Sequence, residues 1–276
     1  MPELPEAETI ARGLRPTLPG SKVERVEVIH PDVLDHDPVQ FTTALQDSVF
    51  EGVSRRGKNL VLELSGQRRL VVNLGMSGRL LLRRSDAPDP PPSHPAVRFH
   101  LKGGERQLIY HDVRRFGRLT LHDRTTFRTW SETLGPEPLD ADFTTSVLSA
   151  GLSRSRTPLR SWLLDQRRVA GVGNIYANEA AFLAGIHPGA RTDSLDEDDA
   201  RRLHAAIRKV LREAVSARGT TLRDYRTAQG WEGEYGNRLQ VYGRGGEPCP
   251  RCGTPVIREV ISNRSIFFCP ECQPVD

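Results

Sequence analysis

All four cysteines of the chain lie near its C-terminus, at a spacing that could bind a metal ion. The pattern is C-x2-C-x16-C-x2-C, formed by Cys249, Cys252, Cys269 and Cys272. Two such pairs match a tetrahedral site of four thiolates, which leaves no open position for water and is therefore structural. We predict one structural zinc ion and no catalytic metal, with an iron–sulfur cluster as the alternative. The alternating segment between the pairs predicts a β-hairpin.

Arg264 lies at the turn of this predicted hairpin, where it could reach a phosphate group or a groove of a nucleic acid. An exposed turn arginine with no function is the alternative.

Arginines are concentrated between positions 154 and 168, where they outnumber the single acid, Asp165. They are Arg154, Arg156, Arg160, Arg167 and Arg168. The glycine turn in AGVGN follows, and it opens a predicted helix capped by Asn174. Guanidinium forks and the N–H groups of a helix start both bind phosphate, so the segment predicts a phosphate site. A solvated helical face and a plain helical hairpin are the alternatives.

Two predicted turns between strands carry large apolar residues, Met76 in NLGMSGRL and Phe116 in HDVRRFGRL. An apolar side chain on a turn beside arginines can act as a wedge that unstacks bases. Packing against a neighbouring loop is the alternative. The histidines form no HExxH pair and no obvious triad, so none is assigned to catalysis.

The N-terminal sequence MPELPEAETI contains residues that the start of a helix does not explain. Pro5 suits a first helical position, Glu6 favours the positive end of the helix dipole, and apolar residues at 7, 10, 11 and 14 share one face. The helix therefore explains residues 5 to 15. It does not explain Pro2 and Glu3, which precede it.

The overall composition bounds what kind of protein carries these residues. The chain has 276 residues, 37% apolar and 27% charged, with a net charge of +4. This is typical of a globular protein of one large or two smaller domains. No apolar run approaches the ~20 residues that span a bilayer, and no basic segment leads into an apolar one at the N-terminus. We expect a cytoplasmic protein with no membrane partner.

The pattern of the chain changes between its two halves. Short Val-, Leu- and Ile-rich segments from about residue 21 to 123 predict a β-sandwich or barrel with one N-terminal helix. The acidic, proline-containing segment 134–143 predicts a domain boundary, and the period beyond it is helical. The clearest helix follows Ser194, which we expect to cap it with Glu197. The glycine-rich segment 218–240 predicts a long functional loop.

Several motifs together resemble the bacterial formamidopyrimidine-DNA glycosylase family. They are PELPEAET, GKNL, LGMSG, RRFG, LGPEPL, GVGNIYANE, VYGRGGEPC and the four-cysteine finger, in order along nearly the whole chain. The form PELPE rather than PEGPE resembles this branch and not the related endonuclease VIII. The resemblance implies an α+β multidomain fold. Its parts would be a β-sandwich domain with an N-terminal helix (1–135), a helix–two-turn–helix domain (136–240) and a zinc-finger β-hairpin (241–276).

The resemblance also implies roles for individual residues. Pro2, exposed as an amine after removal of Met1, would be the nucleophile, with Glu3 as general acid/base and Glu6 supporting them. Lys58 and Arg264 would complete the catalytic set. Implied DNA-binding residues are Met76, His94, Arg114, Phe116, Arg154, Arg156, Arg160, Asn174 and Tyr242. Met76, Arg114 and Phe116 would fill the space left by an extruded base, and loop 218–240 would cover that base.

The implied function is excision of oxidised purines (8-oxoguanine and formamidopyrimidines) from damaged double-stranded DNA, followed by strand cleavage through β,δ-elimination, by a monomer. Excision of oxidised pyrimidines and non-enzymatic binding of damaged DNA are the alternatives. Three positions depart from the family pattern: Asn73 where histidine is common, Arg160 where lysine is common, and the segment 229–237. Because the segment 229–237 does not match the family pattern, the resemblance implies no particular contacts to the flipped base within it.

Overall fold

The computed structural model describes residues 2–84, 86–87, 93–221, 232–261 and 263–274. It divides into two compact units, one of Met1–Glu132 with Ala217–Glu234 and one of Thr133–Ser216 with Tyr235–Asp276. Part of the proline-rich loop and residues 222–231 of the predicted covering loop lie outside the described residues. Within the described ranges, no helix is long and apolar enough to cross a membrane.

The described residues of the first unit form three α-helices and two antiparallel sheets. The helices are α1 (Leu4–Leu14), α2 (Pro38–Leu45) and α3 (Arg124–Glu132). The strands are β1 (Val23–Val28), β2 (Phe50–Arg56), β3 (Asn59–Leu64), β4 (Arg68–Asn73), β5 (Arg79–Arg84), β6 (Pro95–Leu101), β7 (Arg106–His111) and β8 (Arg118–His122). Strand order is β1-β6-β7-β5 in one sheet and β2-β3-β4-β8 in the other.

Apolar side chains from both sheets and from α1 form one core. Phe50 of one sheet meets Phe99 of the other edge to face, with ring centroids 6.5 Å apart. The face of α1 predicted from its apolar spacing is buried in this core. The sandwich and the N-terminal helix are thus confirmed, although α1 begins at Leu4, one residue before Pro5.

Three elements of this unit were not predicted from the sequence. Apolar and polar residues do not alternate along strand β2, which ends in Arg55 and Arg56. Its burial pattern is correspondingly irregular. Helix α2 spans only eight residues and is fixed by Asp37, whose Oδ1 accepts hydrogen bonds from Val39 N and Gln40 N. Helix α3 spans nine residues, none of them buried, and its large apolar side chains are Phe127 and Trp130 alone, which is too short a pattern to predict a helix.

The second unit is helical and ends in a β-hairpin. Its helices are α4 (Thr145–Leu152), α5 (Leu159–Leu164), α6 (Asn174–Ala184) and α7 (Glu197–Ser216), and its strands are β9 (Ile257–Ile261) and β10 (Arg264–Phe268). Helix α7 buries an apolar stripe that includes Leu203, Ile207 and Leu211. The predicted α+β class, with helices and a cysteine-bearing hairpin in the C-terminal half, is confirmed.

Two predicted helix caps are wrong. The start of α7 is capped by Asp196, whose Oδ1 accepts a hydrogen bond from Asp199 N at 2.7 Å, while Ser194 lies in a preceding 3-10 turn. Helix α6 begins after Gly173, and Asn174 is its first helical residue. The Asn174 amide donates to the β-hairpin instead, as described below. A tertiary hydrogen bond has replaced the expected local one.

Candidate functional site

The predicted nucleophile and acid precede α1 and are both buried. Glu3 N donates a hydrogen bond to Glu6 Oε2 at 2.8 Å, and Thr220 N donates to Glu6 Oε1 at 2.7 Å. One carboxylate therefore fixes both the backbone of the N-terminus and the first residues of segment 218–240. Gly219 has φ of +80°, and a Cβ atom there would lie 2.8 Å from Glu6 Oε1, so this close approach requires glycine.

Lys58 lies in the two-residue turn between β2 and β3, after Gly57, whose φ is +58°. A glycine at the first turn position suits a tight hairpin, because that position needs a positive φ. Arg55 Nη1 donates to Gly57 O at 2.8 Å, and Arg55 Nε lies 3.3 Å from Glu8 Oε2 of α1. The half-buried lysine is therefore mounted on a turn that is anchored to α1.

Met76, Arg114 and Phe116 lie on two turns that touch each other. A Cβ atom built at Gly75 would lie 2.5 Å from Gly117 N, so glycine is what lets the turns approach. Met76 is 41% exposed and Phe116 is 56% exposed, and the Arg114 guanidinium lies 4.7 Å from the centroid of the Phe116 ring. The structure thus presents both apolar side chains to solvent, and one of them carries a stacked cation.

A buried carboxylate that the sequence did not single out joins these two turns. Asp112 Oδ1 accepts hydrogen bonds from Ser77 Oγ at 2.6 Å and from Arg114 N at 3.3 Å. Asp112 Oδ2 accepts from Gly117 N at 2.9 Å and from Tyr110 OH at 3.0 Å. Burial, and then the Asp112 carboxylate beside the hydroxyl, raise the pKa of Tyr110 well above its usual range. An Asp in a single sequence carries no signal for such a role.

His94 is exposed and immediately precedes β6, and its carbonyl accepts a hydrogen bond from Asp112 N at 3.2 Å. Its ring lies 5.8 Å from that of His111. Burial, and then the nearby Arg79 and His94, lower the pKa of His111.

In the second unit, the predicted arginine cluster does not form one surface. Arg154 and Arg156 are exposed, and Arg156 Nε lies 3.5 Å from Asp193 Oδ2. Arg160 is instead only 2% exposed, and its Nη2 donates to Ile261 O of β9 at 3.2 Å. Burial, and then the positive charge of Arg264, lower the pKa of Arg160. The buried Arg160 guanidinium thus supports the hairpin through its hydrogen bond to β9.

Helix α6 is hydrogen-bonded to the outer edge of β10. Asn174 Nδ2 donates to Ser265 O at 3.1 Å, and Phe267 N donates to Asn178 Oδ1 at 2.8 Å. Arg264, the first residue of β10, is exposed. The two asparagine side chains therefore hold the strand that presents Arg264, and Asn178 was not predicted to have a role.

The backbone that leads into the finger is held by a second buried carboxylate that the sequence did not single out. Glu179 accepts hydrogen bonds from the N–H groups of Gln240, Val241 and Tyr242, at 2.8, 3.0 and 2.8 Å. Burial raises the pKa of Glu179 in spite of these three donors. The Tyr242 ring lies 5.1 Å from that of Phe267, which places this residue against the base of the hairpin.

The four cysteines meet as predicted. Their Sγ atoms all lie within 4.8 Å of one another, with 3.9 Å between Cys249 and Cys272 and 3.4 Å between Cys252 and Cys269. Bonds of about 2.3 Å from a tetrahedral zinc ion require sulfur atoms separated by about 3.8 Å. The geometry fits one zinc ion with four thiolate ligands, which is a closed structural site.

The predicted residues are divided between the two units. Pro2, Glu3, Glu6, Lys58, Met76, His94, Arg114 and Phe116 belong to the first, and Arg154, Arg156, Arg160, Asn174, Tyr242, Arg264 and the cysteines belong to the second. Local groupings are tight: the turns of Met76 and Phe116 touch, and Arg160 and Asn174 both bond to the hairpin.

Comparison with known proteins agrees with these features. The formamidopyrimidine-DNA glycosylase N-terminal domain matches residues 1–119, the H2TH domain of the same proteins matches 134–226, and a zinc finger found in FPG and IleRS matches 246–275. The formamidopyrimidine-DNA glycosylase of Symbiobacterium thermophilum is 45% identical over all of this chain and 90% of its own length. That of Moorella thermoacetica is 47% identical over 94% of each chain.

Solved structures give the same result. The MutM (Fpg) protein from Thermus thermophilus is 43% identical, with a TM-score of 0.89 and full coverage of both chains. A mutant FPG from Lactococcus lactis, in complex with DNA that contains Fapy-dG, is 36% identical, with a TM-score of 0.92 over 99% of this chain and 100% of that chain.

Proposed function

Because this chain belongs to the formamidopyrimidine-DNA glycosylase family, we propose that it is a bifunctional DNA glycosylase and abasic-site lyase. Its substrates are oxidised purines, 8-oxoguanine and formamidopyrimidines, in double-stranded DNA, and it acts as a monomer. Relatives in complex with Fapy-dG DNA and with abasic-site DNA support this choice of ligand. The observation that carries the proposal is the position of Pro2 and Glu3 at the start of α1, on backbone that Glu6 fixes.

The Pro2 nitrogen is the nucleophile once Met1 has been removed. While Met1 is attached this nitrogen belongs to an amide and cannot attack. An α-amino group has a pKa of about 7.7–8.0 against about 10.4 for a lysine side chain, so far more of it is neutral at pH 7. Attack of the secondary amine on C1′ of the damaged nucleotide breaks the glycosidic bond, and the base leaves with that electron pair.

The proline nitrogen then loses its N–H proton, and its lone pair expels the ring oxygen from C1′, which takes up a proton; an iminium ion between C1′ and the proline nitrogen results. This cation is an electron sink that acidifies the C2′ hydrogens. Loss of a C2′ proton expels the 3′ phosphate, and a second elimination expels the 5′ phosphate. Water then hydrolyses the iminium and releases the enzyme.

Glu3 transfers protons during ring opening and elimination, and a positioned general acid/base contributes about 10²–10⁴-fold to a rate. Lys58 and Arg264 contact the damaged nucleotide and its flanking phosphates. Met76, Arg114 and Phe116 fill the space that the extruded base leaves, which offsets part of the few kcal/mol that extrusion costs. Arg154, Arg156, Asn174, His94 and Tyr242 contribute to holding the DNA, and the buried Arg160 contributes through the hairpin that it supports.

Borohydride trapping on a duplex with one 8-oxoguanine tests this proposal. Reduction of the iminium links protein and DNA, so the wild-type protein should give an adduct of their combined mass, and peptide mapping should place it on Pro2. The variant Pro2→Gly should form the adduct more slowly, because its imine needs an added proton. The variant Glu3→Gln should lower base release by about 10²-fold or more.

The competing functions give different results in the same assay. A protein that only binds damaged DNA forms no adduct. An enzyme for oxidised pyrimidines releases thymine glycol faster than 8-oxoguanine. Retention of Met1 in the active protein would contradict the use of Pro2 as nucleophile.

A further inference from the structure

A chain of three hydrogen bonds runs between the turn that carries Lys58 and the turn that carries Met76. Gly75 N donates to Asn73 Oδ1 at 2.9 Å, and Asn73 Nδ2 donates to Asn59 Oδ1 at 2.8 Å. Asn59 Nδ2 then donates to Arg56 O at 3.1 Å. This series of hydrogen bonds begins at Gly75, one residue before Met76. It ends at Arg56, the residue that precedes the Gly57–Lys58 turn.

The positions of the two asparagines make this connection direct. Asn59 is the first residue of β3 and Asn73 is the last residue of β4, and they are cross-strand partners in the antiparallel pair. The turn before β3 and the turn after β4 therefore lie at the same end of the sheet. Both side chains are half-buried.

The direction of every bond in the chain is fixed by its ends. The backbone N–H of Gly75 can only donate and the carbonyl of Arg56 can only accept. Turning either amide over would oppose two donors or two acceptors, so one arrangement satisfies all the groups. A chain of this kind resists rotation of either side chain, which makes it a spacer of defined length.

We propose that Asn73 is a positioning residue that sets the separation of Lys58 and Met76. The inference rests on the proposed function, in which Lys58 contacts the damaged nucleotide and Met76 fills the space that its base leaves. Lys58 has a long flexible side chain, so its reach depends on where its turn is held. Catalytic groups misplaced by about 1 Å can lose about 10²-fold in rate.

The test compares Asn73→Ala, Asn59→Ala and the double variant with the wild-type protein. Single-turnover release of 8-oxoguanine from a duplex should fall by about 10-fold in each single variant, because either change breaks the chain. The double variant should fall by about the same factor, since two changes that break one connection do not add. Affinity for undamaged duplex should stay within about twofold of wild type.

Gln40→Ala serves as the matched control, because Gln40 is an exposed amide on α2 in the same unit and takes no part in the chain. Its single-turnover rate should equal that of the wild type. If Asn73→Ala fails to fold, Asn59→Ala still tests the idea, since it leaves the bond from Gly75 to Asn73 intact.

Three outcomes would overturn the inference. They are a release rate within twofold of wild type in Asn73→Ala, effects that multiply in the double variant, and a lower melting temperature with an unchanged rate in the folded fraction. The wild-type protein separates this failure from failure of the proposed function. A wild type that forms no borohydride adduct refutes the function, whereas an active wild type matched by Asn73→Ala refutes only the positioning role.

Discussion

Asp112 gives the sharpest prediction about how the exposed Met76 and Phe116 are held. Its side chain is 1% exposed and accepts hydrogen bonds from the turns on both sides. In Asp112→Ala, Arg114 N keeps Ser77 Oγ at 3.0 Å as an acceptor, and Tyr110 OH can use Asn73 O at 3.5 Å. The Ser77 hydroxyl and Gly117 N lose their acceptor.

The cost follows from the groups that lose their partner. Each buried donor without an acceptor costs about 1–3 kcal/mol, and the weakened Tyr110 bond adds to this, so we expect a loss of about 3–5 kcal/mol in the free energy of unfolding. In Asp112→Asn, the amide oxygen can still accept from Gly117 N and Tyr110 OH, and the NH₂ group can donate to Ser77 Oγ, so only the Ser77 hydroxyl loses its acceptor. That variant should lose only about 1–2 kcal/mol, because neutral hydrogen bonds replace charge-assisted ones.

Hydrogen exchange in urea is the appropriate assay, because peptides from residues 50–73 report the opening of the first unit alone. Asp86→Asn is the control: Asp86 is an exposed aspartate paired with Arg84, and its loss should leave exchange unchanged. A loss below about 1 kcal/mol in Asp112→Ala, or equal losses in the alanine and asparagine variants, would refute the reasoning.

Two further predictions concern the second unit. In Cys269→Ser, or after chelation of zinc, the finger should unfold and DNA binding should be lost while the first unit keeps its melting temperature; tight binding without metal would contradict this. Burial lowers the pKa of His187, whose Nδ1 accepts from Gly189 N at 3.1 Å. The unfolded chain therefore binds the proton more strongly, so stability that is fully present above about pH 6.5 should fall as the pH drops below it. The variant His187→Asn, whose Oδ1 can accept from Gly189 N, should flatten the pH dependence of the melting temperature between pH 7.5 and 5.5, and an unchanged slope would argue against His187 as its source.

Local patterns were enough to predict the features that depend on neighbours in the sequence. The apolar face of α1, most strands of the sandwich, the long helix α7 and the cysteine hairpin all follow from periodicity or spacing. The zinc site belongs to this group, because two C-x2-C pairs joined by a hairpin bring four thiolates together. The predicted cap of α6 failed because a tertiary hydrogen bond takes the Asn174 amide, whereas that of α7 failed because Asp196, two residues after Ser194, forms the local cap.

What the sequence by itself determined is therefore most of the helices and strands, the metal site and, through its motifs, the resemblance to a glycosylase family. Only the tertiary structure decided which polar groups share hydrogen bonds across the fold. Asp112 joins two turns and Asn73 joins two strands, while Arg160 is buried beneath the hairpin instead of lining a surface. The physical reason is that a buried polar atom must find a partner, and the partners available to it depend on packing between distant segments, which no local pattern encodes.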